Sequence, residues 1–247
     1  MKKENLEKCR EVALLLLSLP IVQDERVPFV VHHPFFDNIV TVDENHTMLN
    51  LLDGEDVQEK AKKFLKEHVL DTAKSYDTFL VRLCKPYYPI FFKLTQEYID
   101  DEKEYAEYLS YVWTATEFPN EDKNVTISDW KRFFKKANKE MLMDKGELCV
   151  YTYLPETVTL YRGSHNKKHK KMSYTTNYAV ALWFAKRFSQ KGDVSYIIKT
   201  TIPKKAIYAY FSAENECVVN PQYIKEYEVE EIINDGRNEY PMFNEHH

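Results

Sequence analysis

Hydrophobic spacing changes at Leu154-Pro155, and that change excludes both an all-helical and an all-β chain. Upstream, apolar residues recur three and four apart: Val57, Ala61, Phe64 and Leu65; then Ile90, Phe91, Leu94 and Tyr98; then Tyr105, Tyr108, Leu109 and Val112. Downstream, short segments alternate instead, at 158–163, 172–176, 194–200, 206–210 and 223–233, with Lys204-Lys205 as a turn and one helix over 178–188. Strands and helices that do not alternate regularly predict an α+β fold with a mixed or antiparallel sheet. The division falls at residues 1–150, mainly helical, and 151–247, mainly sheet, as two domains or one continuous one; 247 residues suffice to bury a core either way.

Local signals refine the helical part. An acidic start at residues 53–56 opens one helix, and short extended pieces at 27–31 and 39–42 flank His32-His33-Pro34. Trp130, Phe133, Phe134, Ala137 and Met141 share one face of a predicted helix capped near Thr126 or Ser128 and closed by Gly146. Such a stripe reads as core rather than as a cofactor box. The apolar run 12–22 follows basic residues, as in a signal peptide, but Glu4, Glu7 and Glu11 interrupt them and no small-residue cleavage site follows. A buried helix ended by Pro20, too short to span a bilayer, is the preferred reading, with no membrane partner and a cytoplasmic location.

Composition narrows the chemistry. A net charge of −5 argues against nonspecific coating of nucleic acid. The four cysteines are far apart, as suits free thiols, and His32-His33 and His246-His247 lack zinc spacing, so no metal is expected. No Gly-x-Gly-x-x-Gly or Walker loop is present. The cluster His165, Lys167, Lys168, His169, Lys170 and Lys171 reads either as a mobile solvated loop or as a contact for phosphate or RNA.

Three segments carry candidate chemistry. Tyr161-Arg162-Gly163 ends a strand with an arginine and a glycine that lets the chain turn away close to a ligand. Ser173 and Thr175 share a face of the next strand, just ahead of the helix. Glu214 and Glu216 lie two apart before an apolar strand, so in an extended segment both carboxylates face one cleft while Cys217 and Val219 enter the core.

An arginine, a Ser-x-Thr and a Glu-x-Glu at successive strand ends resemble the mono-ADP-ribosyltransferases of the Arg-Ser-Glu class, over about residues 154–232. The resemblance implies a split β-sandwich that clamps NAD as substrate and needs no metal. Arg162 would hold the pyrophosphate, flanked by Tyr161 and Gly163. Ser173 would hold Glu216, with Thr175 supporting the strand. Glu216 would face the ribose, Glu214 the acceptor, and Phe211 would meet the acceptor from a mobile loop. The acceptor is a protein arginine or a nucleic-acid base, RNA included. A toxin or phage-defence effector, held off by an antitoxin, follows by analogy. An NAD glycohydrolase and a noncatalytic binding module are the alternatives.

Overall fold

The computed structural model describes residues 2–241 and divides the chain between Val125 and Thr126. The His246-His247 pair lies outside the described residues. The division comes ahead of residue 150 because the segment after Thr126 belongs with the sheet. Phe134 stacks on Tyr208 at 5.8 Å, and Lys139 donates to the Ile207 carbonyl at 2.7 Å.

In the first unit, α1 (Lys3–Leu17) stops before Pro20 and buries Cys9, Ala13, Leu16 and Leu17. No helix among the described residues is long and apolar enough to cross a membrane. Strands β1 (Val22–Gln23), β2 (Val30–His33) and β3 (Phe36–Asn38) form a small antiparallel sheet, and β4 (Val40–Val42) pairs with β5 (Met48–Asn50). Then come α2 (Glu55–Leu65), which runs into a π-helical turn, α3 (Tyr76–Arg82), α4 (Tyr88–Thr95) and α5 (Glu102–Ala115). Asp101 caps α5 by accepting from the Lys103 and Glu104 amides. Tyr76, Phe79, Phe91, Phe92, Leu109 and Trp113 fill the core. Two local expectations shift here: α4 buries Phe91, Phe92 and Thr95 and leaves Leu94 outside, and it ends before Tyr98.

His33 is sealed into this unit as a neutral ring. Its Nδ1 accepts from the Phe35 amide at 3.1 Å, which leaves the hydrogen on Nε2 to donate to the Leu17 carbonyl at 3.2 Å. Burial lowers its pKa from 6.5 to about 4. As pH falls, the unfolded chain therefore takes up a proton that the folded ring refuses, and stability is lost between about pH 6.5 and 4. The expected loss approaches about 3 kcal/mol. Ring NMR shifts would show His33 titrating near the low end of that window, and urea midpoints would fall with it. A ring that titrates near 6.5 contradicts this.

In the second unit, α6 (Ile127–Lys136) begins at a capping box between Thr126 and Asp129 and buries Trp130, Phe133 and Phe134. The stripe does not continue to Met141. Ala137 is extended, Asn138 caps a 3-10 turn, and a second capping box, Asp144 with Glu147, starts α7 (Lys145–Tyr153). Gly146 thus lies in the first turn of α7 rather than closing a helix, since two caps outweigh a continued period.

The remaining elements are β6 (Thr157–Ser164), β7 (Ser173–Thr175), α8 (Tyr178–Lys186), β8 (Val194–Pro203), β9 (Ile207–Phe211), β10 (Glu216–Val219) and β11 (Tyr227–Ile233). The strands form one sheet in the order β11-β8-β6-β7-β10-β9, antiparallel at every pairing. The chain is thus α+β with antiparallel sheets. β6 pairs with β8 from Thr157↔Pro203 to Ser164↔Tyr196, yet it meets β7 only at Tyr161↔Thr175. The sheet is therefore two three-stranded halves joined at one residue pair. Asn177 caps α8, which packs against β6 so closely that Gly163 touches its backbone.

Candidate active site

The three segments singled out in the sequence lie on three neighbouring strands, β6, β7 and β10, at the narrow join. Tyr161, Thr175, Glu216 and Phe211 form one row across the sheet by register. Arg162 follows the join directly. Its Nη1 donates to the Ser173 carbonyl at 2.9 Å, so β7 orients the guanidinium from across the break. Burial raises the pKa of Tyr174, and the nearby positive charge of Arg162 works against that rise.

Ser173 serves this contact through its backbone; its hydroxyl bonds no described residue. Tyr161 is half-buried, edge-on to Tyr178 at 5.6 Å and packed on Ala181, Ala185 and Ile197, a position that supports α8. Thr175 is buried and reaches further than its own strand. Its Oγ1 donates to the Glu214 carbonyl at 2.8 Å and accepts from the Asn177 amide at 3.1 Å. Next to it, the Thr176 amide donates to the Asn215 carbonyl at 3.1 Å.

The two glutamates are not an i,i+2 pair on one strand. Glu216 opens β10 and is buried, 9% exposed, between Thr175 and Phe211. Glu214 ends a 3-10 turn, and Asn215 between them takes a left-handed conformation at φ 48°, which breaks the alternation that would align the carboxylates. Glu214 is half-buried, and its pKa is raised by that burial, with the Arg187 charge opposing the rise. Phe211 also corrects the sequence reading. It is the last residue of β9, paired with Glu216 and 5% exposed, so it sits in the core and not on a mobile loop.

Four residues of this region were missed in the sequence. Glu147 accepts from the Ser212 amide at 2.9 Å and hydroxyl at 3.1 Å, and Tyr240 donates to the Ala213 carbonyl at 2.9 Å. Asn215 Oδ1 accepts from Tyr210 at 2.6 Å, and the positive charge of Arg187 acts on Glu214. Only Asn215 had a local signal, since Asn tolerates the left-handed region; the other three act across long sequence separations. Cys217 is fully buried, and burial, with a smaller push from the Glu216 charge, raises its pKa to about 12, which makes it an inert thiol.

The basic loop is anchored at a few points while His165, Lys167, Lys168 and Lys170 stay exposed. The His169 ring stacks on Tyr227 at 3.9 Å, Lys167 lies 4.8 Å over the Tyr196 ring, and Tyr174 donates to the His169 carbonyl at 2.5 Å. Lys171 is buried. Among the described residues no group of three or more His, Cys, Asp or Glu is placed to hold a metal ion.

No protein-family model matches the chain, and no curated protein or solved structure matches it.

Proposed function

We propose that the chain is an NAD-dependent mono-ADP-ribosyltransferase acting on a macromolecular acceptor, with the split antiparallel sheet as its NAD clamp. One observation carries this reading: three segments remote in sequence, bearing Arg162, Ser173 and Glu216, lie on adjacent strands where the sheet is joined by a single pair. Arg162 follows that pair by one residue, and Glu216 is in register with its Thr175.

The chemistry follows from these residues. The bond between ribose C1′ and nicotinamide breaks, and its electron pair leaves with nicotinamide as a neutral base, so no acid is required. The sugar develops oxocarbenium character and needs a fixed negative charge beside it. Glu216, held in a largely water-excluded position, supplies that charge more effectively than a solvated carboxylate would. Arg162 takes the pyrophosphate with a fork that Ser173 has already oriented. Glu214, on the adjoining turn with its affinity for protons raised by burial, accepts the proton that the attacking acceptor gives up. A cytoplasmic toxin or phage-defence effector controlled by an antitoxin is the setting that fits such an activity by analogy.

The test is incubation with labelled NAD, following nicotinamide release and label incorporation. Release without incorporation would replace transfer by NAD hydrolysis, and absence of both would overturn the reading. Within it, Arg162→Ala is expected to weaken NAD binding by roughly 1.5 to 3 kcal/mol, the worth of a charged hydrogen-bonded contact. Isothermal titration measures this directly, and unchanged affinity would remove Arg162 from the site.

A further inference from the structure

The two edges of the six-stranded sheet differ. β9 forms one edge and is covered. Lys139 donates to the Ile207 carbonyl at 2.7 Å, the Tyr210 amide donates to Met143 Sδ at 3.3 Å, and Ile207, Ala209, Tyr210 and Phe211 are buried. β11 forms the other edge and is open. It runs seven residues and keeps register with β8 from Tyr227↔Thr200 to Ile233↔Val194 without a bulge. Short length, proline, lysine and bulges commonly guard an exposed edge, and β11 has none of them.

Alternation of an antiparallel ladder fixes which backbone groups face outward. The Asn234 amide donates to the Asp193 carbonyl at 2.9 Å, and its carbonyl accepts from the Gly192 amide at 2.8 Å, so Asn234 bonds inward. Counting back by twos, Ile232, Glu230 and Glu228 bond to β8, while Tyr227, Val229, Glu231 and Ile233 turn their amides and carbonyls to the open edge. The Glu226 carbonyl, which accepts from Thr200 Oγ1 at 2.7 Å, keeps the same phase. No described residue outside the ladder hydrogen-bonds the outward groups. Side chains alternate as well. Glu228 and Glu230 lie on the α8 side, where the Tyr178 hydroxyl donates to Glu230 at 3.0 Å and Ile232 packs on Ala181, Ala185 and Ile197. Lys199 bonds Glu228 at 3.0 Å, but both groups are exposed, and such a pair exchanges partners at little cost. On the opposite side Tyr227, Val229 and Ile233 are 44%, 38% and 69% exposed. Glu231 shares that side, but its register partner Tyr196 carries the Lys167 ammonium 4.8 Å over its ring, so the side is apolar and near neutral.

Independently of the transferase reading, we propose that β11 takes up an extended segment of a partner protein as an added strand. The segment has basic residues on the face beside Glu228 and Glu230 and apolar residues on the face beside Tyr227, Val229 and Ile233. Main-chain bonds to the outward groups supply affinity, and the alternating side chains select the sequence. A second copy of this chain is a poor occupant. In every antiparallel register centred between Val229 and Glu231, at least one glutamate lies opposite a glutamate of the other copy, and like charges directly opposite destabilise a pair.

Fluorescence anisotropy of the full chain with a labelled, end-blocked peptide that alternates valine and lysine tests this, with a counterpart carrying glutamate for lysine as control. The lysine peptide is expected to bind, more weakly as salt rises, and the glutamate peptide is not. Hydrogen exchange is expected to slow on binding at the Val229, Glu231 and Ile233 amides, which gain partners. Val229→Pro deletes one outward amide and no bond to β8, and is expected to weaken binding about tenfold at an unchanged unfolding midpoint. Glu228→Lys combined with Glu230→Lys leaves the backbone alone and is expected to move the preference to the glutamate peptide, which decides the matter even where the proline variant does not fold. No binding of the lysine peptide, equal binding of the two peptides, protection confined to other amides, or a charge-reversed chain that still prefers lysine overturns the proposal. Sedimentation that shows the chain pairing with itself through an edge disrupted by Val229→Pro also overturns it. None of these measurements involves NAD, so failure to cleave NAD would defeat the transferase reading alone.

Discussion

Replacing Glu216 by glutamine is expected to lower nicotinamide release and ADP-ribose transfer together, by roughly a hundred- to thousandfold, the cost of removing one preorganised electrostatic stabiliser. The side chain keeps its shape, and its place between Thr175 and Phe211 is fixed by strand pairing on both sides, so the change is one of charge. In the proposed reading that charge faces the sugar, so every fate of the cation should suffer equally. Glu214→Gln should behave differently. Glu214 lies off the strand, on a turn fastened by Thr175 and Tyr240, so its loss should suppress transfer while part of the NAD hydrolysis survives. Nicotinamide release and label incorporation measured side by side decide the matter. Near-native transfer by Glu216→Gln, or equal loss of both activities in Glu214→Gln, would show that the two roles are wrongly assigned.

Gly163→Ala is expected to destabilise the second unit by about 3 kcal/mol or more, at or beyond the upper end of ordinary overpacking. A methyl group at this position would overlap the Ala181 carbonyl oxygen and the Ala185 amide nitrogen, both in the backbone of α8. No side chain can rotate away to relieve the overlap. Either α8 lifts from β6, which uncovers the closed cluster of Ala181, Ala185 and Ile197, or β6 shifts against β8. Both movements also displace Arg162, the next residue, so weaker NAD binding should accompany the lost stability. Denaturant unfolding of the full chain reads the first effect and titration the second. An unchanged unfolding midpoint would mean that α8 and β6 are not in backbone contact. The glycine is thus required by close approach of two backbones and not, as its place in Tyr-Arg-Gly suggested, only by a turn near a ligand.

Much of this was legible in the residues themselves. Periodicity located α2, α5, α6 and α8 and most strands of the large sheet, because spacing of apolar side chains is a property of a few neighbouring residues. The cap was legible to within two residues, as Thr126 or Ser128, and Thr126 holds it. The errors are equally local. Periodicity ran α6 on toward Met141 because apolar residues happened to continue it, while Asn138 and Asp144 divided the segment by capping. Alternation paired Glu214 with Glu216 because it assumed an extended chain, and Asn215 turned left-handed instead.

The sequence by itself therefore determined most of the segments that become helix and strand, though not α3 or α7, and it supplied the arginine, the Ser-x-Thr and the two glutamates as separate pieces. Tertiary structure alone decided that β6, β7 and β10 would be neighbours, that β6 and β7 would touch at one pair, and that Arg162 would be oriented by a carbonyl of β7. It also placed Phe211 in the core and brought Glu147, Arg187 and Tyr240 to the turn that carries Glu214. The physical reason is range. Dihedral preference, capping and side-chain alternation act over a few residues, whereas strand neighbours are chosen by burial and backbone pairing summed over the whole unit, which no single segment encodes.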